Sequence, residues 1–84
     1  MPQLVPTTCR AARALLDWPQ SRLASAAGVG ISTVKGFESG NKAPMRNNIV
    51  AMMCALEEAG VEFIPENGRG AGVRLRKPST NNQV

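Results

Sequence analysis

The stretch QSRLASAAGVGISTVKGFESG, Gln20 to Gly40, decides the fold. An apolar pattern over Leu23, Ala24 and Ala27 stops at Gly28, and a second over Ile31, Val34 and Phe37 stops at Gly40. Glycine has no Cβ and takes positive φ at little cost, so each of these two ends a helix. The spacing predicts one helix from about Pro19 to Ala27 and another from Ile31 to Ser39, joined only by Gly28, Val29 and Gly30. Counted from Gln20, Ala24 is fifth, Gly28 ninth and Val34 fifteenth. A small residue is needed where two helices cross, a glycine at the turn, and a branched apolar residue to anchor the second helix against Leu23 and Val29. That is the geometry of a helix-turn-helix unit.

Outward from this unit, Trp18-Pro19 is a tight joint, because proline cannot continue a helix but suits the first position of a new one. A first helix over about 8–17 precedes it, with Thr7 or Thr8 as its cap. Cys9, Ala12 and Leu16, with Leu15 alongside, form its stripe, and Asp17 is suited to a left-handed last position. After the polar loop Asn41 to Arg46 comes a fourth helix over about 46–59, which Met45 extends or Arg46 or Asn47 begins. It is striped by Ile49, Met52, Met53 and Leu56 and ended by Gly60. Val61 to Ile64 and Val73 to Arg76 are β-prone, separated by a turn-rich segment, and read as a hairpin. The expected architecture is mainly α. An extended arm (1–7) leads into a helical domain (8–60), a hairpin (61–76) and a polar tail (77–84) expected to be disordered.

An isolated hairpin is marginal in water, so these strands need a partner surface. Either a second copy supplies it, through Val61, Phe63, Ile64, Val73 and Leu75, or the hairpin packs back on the fourth helix of its own chain.

Composition narrows the function. Eighty-four residues make one small core, and with two Phe, one Trp and no Tyr that core is filled by aliphatic side chains and Met. There is no histidine to complete a zinc site with Cys9 and Cys54, which read as small core residues. No nucleophile, base and orienting group can be assembled, so neither catalysis nor a cofactor or metal is expected. No apolar run is long enough to span a bilayer, and Met1 to Pro6 lacks the pattern of a signal peptide, so a cytoplasmic protein is expected.

The net charge of +4 is unevenly placed. Residues 1–46 carry Arg10, Arg13, Arg22, Lys35, Lys42 and Arg46 against Asp17 and Glu38, then four Glu and no base occupy 47–67. Arg69, Arg74, Arg76 and Lys77 make a second basic segment. Any one of these charges suits a solvated surface equally well, but those flanking the helix-turn-helix unit point as a group to a polyanion.

Over about residues 8–60 the chain resembles the Cro and phage-repressor type of helix-turn-helix regulator, the xenobiotic-response-element family of bacteria and phages. The resemblance is carried by Arg13, Trp18-Pro19-Gln20, Leu23-Ala24, Ala27-Gly28-Val29, Thr33-Val34, Phe37-Glu38-Ser39-Gly40, Pro44 and the Ile49 to Leu56 stripe. It implies a lambda-repressor-like domain that binds double-stranded DNA as a homodimer on a palindromic operator, as a repressor or autoregulator. Gln20 matches the glutamine that holds a phosphate, and Arg13 with Glu38 a structural pair joining the first helix to the end of the third. The outward face of the third helix, Ile31, Ser32, Lys35 and Gly36, is the expected base-contact set: Ile31 for a thymine methyl, Ser32 for several bases, Lys35 for guanine acceptors or a phosphate. Gln20, Arg22, Thr33, Lys42, Arg46 and Asn47 are the expected phosphate contacts, with Arg10 a further extension of that clamp.

The chain departs from the family pattern at Gly36, where a long reader often sits, at Gly30 in place of a serine cap, and at Pro19 in place of Ser or Thr. A shorter reader set leans on DNA shape or on the basic arms. It also favours a second reading, an antitoxin or antiactivator whose main partner is another protein reached by strand addition. Single-stranded nucleic acid is disfavoured because no aromatic stacking platform exists.

Overall fold

A computed structural model describes residues 4–76. It contains α1 (Pro6–Leu16), α2 (Gln20–Ala27), α3 (Ile31–Ser39) and α4 (Arg46–Glu58), followed by β1 (Val61–Ile64) and β2 (Gly72–Leu75). The first three residues of the expected arm and the whole of the expected disordered tail lie outside the described residues.

Local chemistry sets each boundary. α1 begins two residues earlier than the threonines suggest, because Pro6 occupies the first turn, where a missing N–H costs nothing. Val5 is the capping residue, and Thr8 lies inside the first turn, its hydroxyl accepting the Val5 N–H at 3.1 Å. Leu4, assigned to the arm, is buried in the core. α1 ends as expected at Asp17, which is left-handed at φ 59° and ψ 41°, and the Trp18 N–H then donates to the Arg13 carbonyl at 2.9 Å. Gly28 (φ 70°) and Gly40 (φ 79°) end α2 and α3 in the same left-handed way.

The core joins all the elements. Cys9 and Ala12 of α1, Leu23 of α2, Val34 of α3, Met52 and Leu56 of α4 and Val61 of β1 are fully enclosed. Each of the larger aliphatic side chains contributes about 1.5–3 kcal/mol by leaving water. Trp18 and Val29 pack half-buried against this cluster and fix how α1 meets α2 and α2 meets α3. Leu15 and Cys54 do not belong to it: both are exposed. On the 3.6-residue period Cys54 falls nearly opposite the Ile49, Met52, Met53 and Leu56 stripe, which corrects its assignment to the core.

The hairpin is antiparallel, with Val61 opposite Leu75 and Phe63 opposite Val73. Alternation along the strands puts these four on one face and the Glu62–Arg74 ion pair (2.9 Å) on the other. The apolar face packs on α1 and α4 of its own chain, and Val61 and Phe63 are buried there. The expectation that Val61 and Phe63 meet a second subunit is therefore corrected, since the single chain already uses them. Ile64 at the end of β1 and Val73 on β2 are half-buried, and Leu75 on β2 is 50% exposed. Arg76 fastens the end of β2 to the end of α4, with Nη2 on the Glu57 carbonyl at 2.9 Å.

Candidate nucleic-acid interface

The orientation of α3 rests on one buried carboxylate. Glu38, 3% exposed, sits on the inner side of α3 near its end and accepts from three side chains on α1 and α2. Arg13 of α1 donates through Nε to Oε2 (2.7 Å) and through Nη2 to Oε1 (2.6 Å), a two-pronged geometry that lysine cannot match. Cys9 Sγ donates to Oε2 at 3.1 Å, and Gln20 Nε2 at the start of α2 donates to Oε1 at 3.0 Å. The third nitrogen of Arg13 donates to the Trp18 carbonyl at 2.9 Å, locking the α1–α2 joint into the same network. Burial pushes the Glu38 pKa up, but the bonds from Arg13, Cys9 and Gln20 outweigh it and hold the carboxyl below its ordinary value. Burial and the adjacent carboxylate drive the Cys9 thiol far above its usual range, so it is a proton donor here and not a nucleophile.

The Arg13 and Glu38 pair was legible in sequence, and the structure brings these side chains together as expected. The contributions of Cys9 and Gln20 were not, because nothing in the spacing reveals that both reach one carboxylate. Gln20, expected on a phosphate, directs one Nε2 hydrogen inward to Glu38 and keeps a second. Arg10, expected to extend the phosphate clamp, instead donates to the Glu38 backbone carbonyl near the C-terminus of α3, where a cation is favoured.

Because Val34, Phe37 and Glu38 point inward, the opposite face of α3 is outward. Ser32 and Lys35 are exposed there, as is Ile31, at 42% despite being apolar; Thr33 is half-buried at the flank. Gly36, expected among the base contacts, has no side chain to offer there, and the space beside it is filled by Lys42. A Cβ at Gly36 would stand 2.9 Å from Lys42 Cδ. Lys42, Arg46 and Asn47 are exposed around the loop that joins α3 to α4. Arg22 is exposed on α2, its guanidinium 5.2 Å from the centre of the Trp18 ring and oriented by that stacking.

Two electrostatic features complete this surface. From Trp18 to Leu56 the only acidic residue is Glu38, which is buried and neutralised by Arg13, so the exposed charges of that stretch, Arg22, Lys35, Lys42 and Arg46, are all positive. No side chain caps the first turn of α2, α3 or α4, which begin after Pro19, Gly30 and Met45. Their leading amide hydrogens therefore remain free for an external acceptor, at the positive ends of the helix dipoles. The second basic segment is less available than its composition suggests: Arg74 is paired with Glu62 and Arg76 holds the end of α4.

A family model described as helix-turn-helix matches residues 10–63, which takes in most of α1, all of α2 to α4 and most of β1. No curated protein matches the chain.

Proposed function

The chain belongs to the helix-turn-helix family, a family of DNA-binding regulators, and from that premise we propose that it reads a palindromic operator as a homodimer and represses transcription, its own included. The observation that carries this reading is the outward face of α3: exposed Ile31, Ser32 and Lys35 in a surface whose free charges are all positive. Ile31 packs on a thymine methyl, Ser32 bonds a base edge, and Lys35 reaches guanine acceptors or the neighbouring phosphate. Arg22, Thr33, Arg46 and Asn47, with the free amides of α2 and α4 and the second Nε2 hydrogen of Gln20, hold the backbone on either side. Lys42 stands where these two sets meet.

The second copy docks along the β2 edge of the hairpin, where Val73 and Leu75 remain after Val61 and Phe63 have entered the core, and reaches Ile64 on the opposite face at the end of β1. β2 is paired on one side only among the described residues, so its other edge offers backbone groups to a second strand. Two recognition helices then meet successive major grooves about 34 Å apart. The same open edge supports a second reading, strand addition to a different protein, as in an antitoxin or antiactivator. Among the described residues no helix is long and apolar enough to cross a membrane, and the proposed site of action is the cytoplasm, on the nucleoid when bound.

Footprinting over the region upstream of the protein's own gene tests the proposal. Two protected patches on one face of the duplex, a helical turn apart, are expected; continuous protection without preferred positions contradicts it.

A further inference from the structure

Gly36 is an anomaly in the recognition helix. It lies on the outward row with Ser32 and Ser39, beside Lys35, in the interior of α3, where glycine weakens a helix relative to alanine. Its φ does not require glycine, since the left-handed glycines are elsewhere. The requirement is space. A Cβ at this position would stand 2.9, 3.1 and 3.2 Å from Cδ, Cγ and Cβ of Lys42, so three successive carbons of that side chain lie on the bare backbone. The backbone of Lys42 is fixed by the same residue: the Gly36 carbonyl accepts the N–H of Asn41 at 3.1 Å and of Lys42 at 3.2 Å. Ser39 closes the arrangement, its hydroxyl donating to the Gly36 carbonyl at 3.0 Å and accepting the Asn41 N–H at 3.3 Å.

We propose that Lys42 is a base-reading residue, delivered from the α3–α4 loop to the outward row of α3 in place of the side chain that Gly36 lacks, and that its target is the edge of a guanine. The proposal rests on the DNA-reading function proposed above and specifies it. Lys42 is held at its backbone and along its aliphatic stem, and its ammonium stands two bonds beyond Cδ. Neither of the two ion pairs among the described residues involves it. Much of the rotamer freedom that a lysine surrenders on binding is already gone, and the stem follows the row that enters the groove. The ammonium offers hydrogen-bond donors to guanine O6 and N7. Arg46, Asn47 and the amides of α4 remain for the adjacent phosphates.

The test begins without DNA. Nuclear Overhauser contacts between the Gly36 α-hydrogens and the Lys42 side chain are expected in the free protein, and their absence overturns the packing on which the proposal stands. A pool of duplexes with a randomised central segment is then selected with the wild type, Lys42→Met, Gly36→Ala and the double variant. Met keeps an unbranched stem and removes the ammonium; Ala displaces the stem. Wild type is expected to enrich a guanine at a fixed position in each half-site. Both single variants are expected to lose that preference by about tenfold while keeping the others, with the double variant no worse than Lys42→Met. Uniform weakening at every sequence, with a shallower salt dependence, makes Lys42 a phosphate contact and overturns the proposal. Failure of the wild type to enrich any sequence overturns instead the DNA-reading function beneath it.

Discussion

Replacing Glu38 by alanine removes the acceptor on which α1, α2 and α3 converge. The side chain is 3% exposed and takes both prongs of Arg13 together with Cys9 and Gln20. Arg13, whose side chain is only 17% exposed, is left with the Trp18 carbonyl as its partner. Stranding one member of a buried ion pair costs about 3–5 kcal/mol. Domains of this size have roughly 4–12 kcal/mol in total, so Glu38→Ala is expected to lose much of its folded population at 37 °C. Glu38→Gln keeps the volume and one carbonyl acceptor, and about 2 kcal/mol is expected, the scale of a hydrogen bond to a charged group. Urea unfolding followed by circular dichroism measures both. A double-mutant cycle with Arg13→Met is expected to return a coupling energy above about 1 kcal/mol, because the two residues share one network. If Glu38→Gln unfolds within ~0.5 kcal/mol of wild type, the carboxylate does not hold the helices together and the reasoning fails.

The same carboxylate makes stability depend on pH. Its pKa is lower in the folded chain than the ordinary carboxylate value, so its contribution is fully present above that ordinary value and is lost as pH falls through the folded one. An acid titration of the unfolding midpoint should show this loss, and Glu38→Gln should flatten it; an unchanged profile in the variant assigns the acid sensitivity elsewhere. Along the hairpin, Val61→Ala is expected to cost about 2 kcal/mol because that side chain is fully enclosed within the single chain. Leu75→Lys, at a half-exposed edge position, should leave the monomer's fold intact and abolish the dimer in analytical ultracentrifugation. Dimerisation that survives this change places the second copy on another surface.

What the sequence revealed and what it concealed divide along a physical line. Gly28, Gly40 and Asp17 announce helix ends because the left-handed conformation is a property of single residues, and all three adopt it. The stripe Ile49, Met52, Met53 and Leu56 is visible because its period is local; Cys54 reads into the core on its residue type, against that same period, and it is exposed. The hairpin could be recognised as a hairpin but not located, since its apolar face suits a neighbouring chain as well as its own helices. Least legible was the part of the site made by convergence. Nothing local to Cys9, Gln20 or Lys42 reports that two of them approach Glu38 or that the third lies across Gly36. The one available signal was the glycine itself, an expensive residue for a helix interior, which read as a missing contact when it was room for another residue's side chain.

The most direct test of the central claim is a titration of labelled DNA from the protein's own promoter, against random duplex, at several salt concentrations, with Ser32→Ala and Lys35→Ala alongside the wild type. The α3 surface predicts binding to the promoter at least about 1000-fold tighter than to random duplex. Either variant should weaken the specific complex by about tenfold while changing the non-specific one little. Equal, steeply salt-dependent binding to both duplexes, indifferent to Ser32, would reduce the basic surface to electrostatic attraction and contradict the assignment of α3 as a reader of sequence.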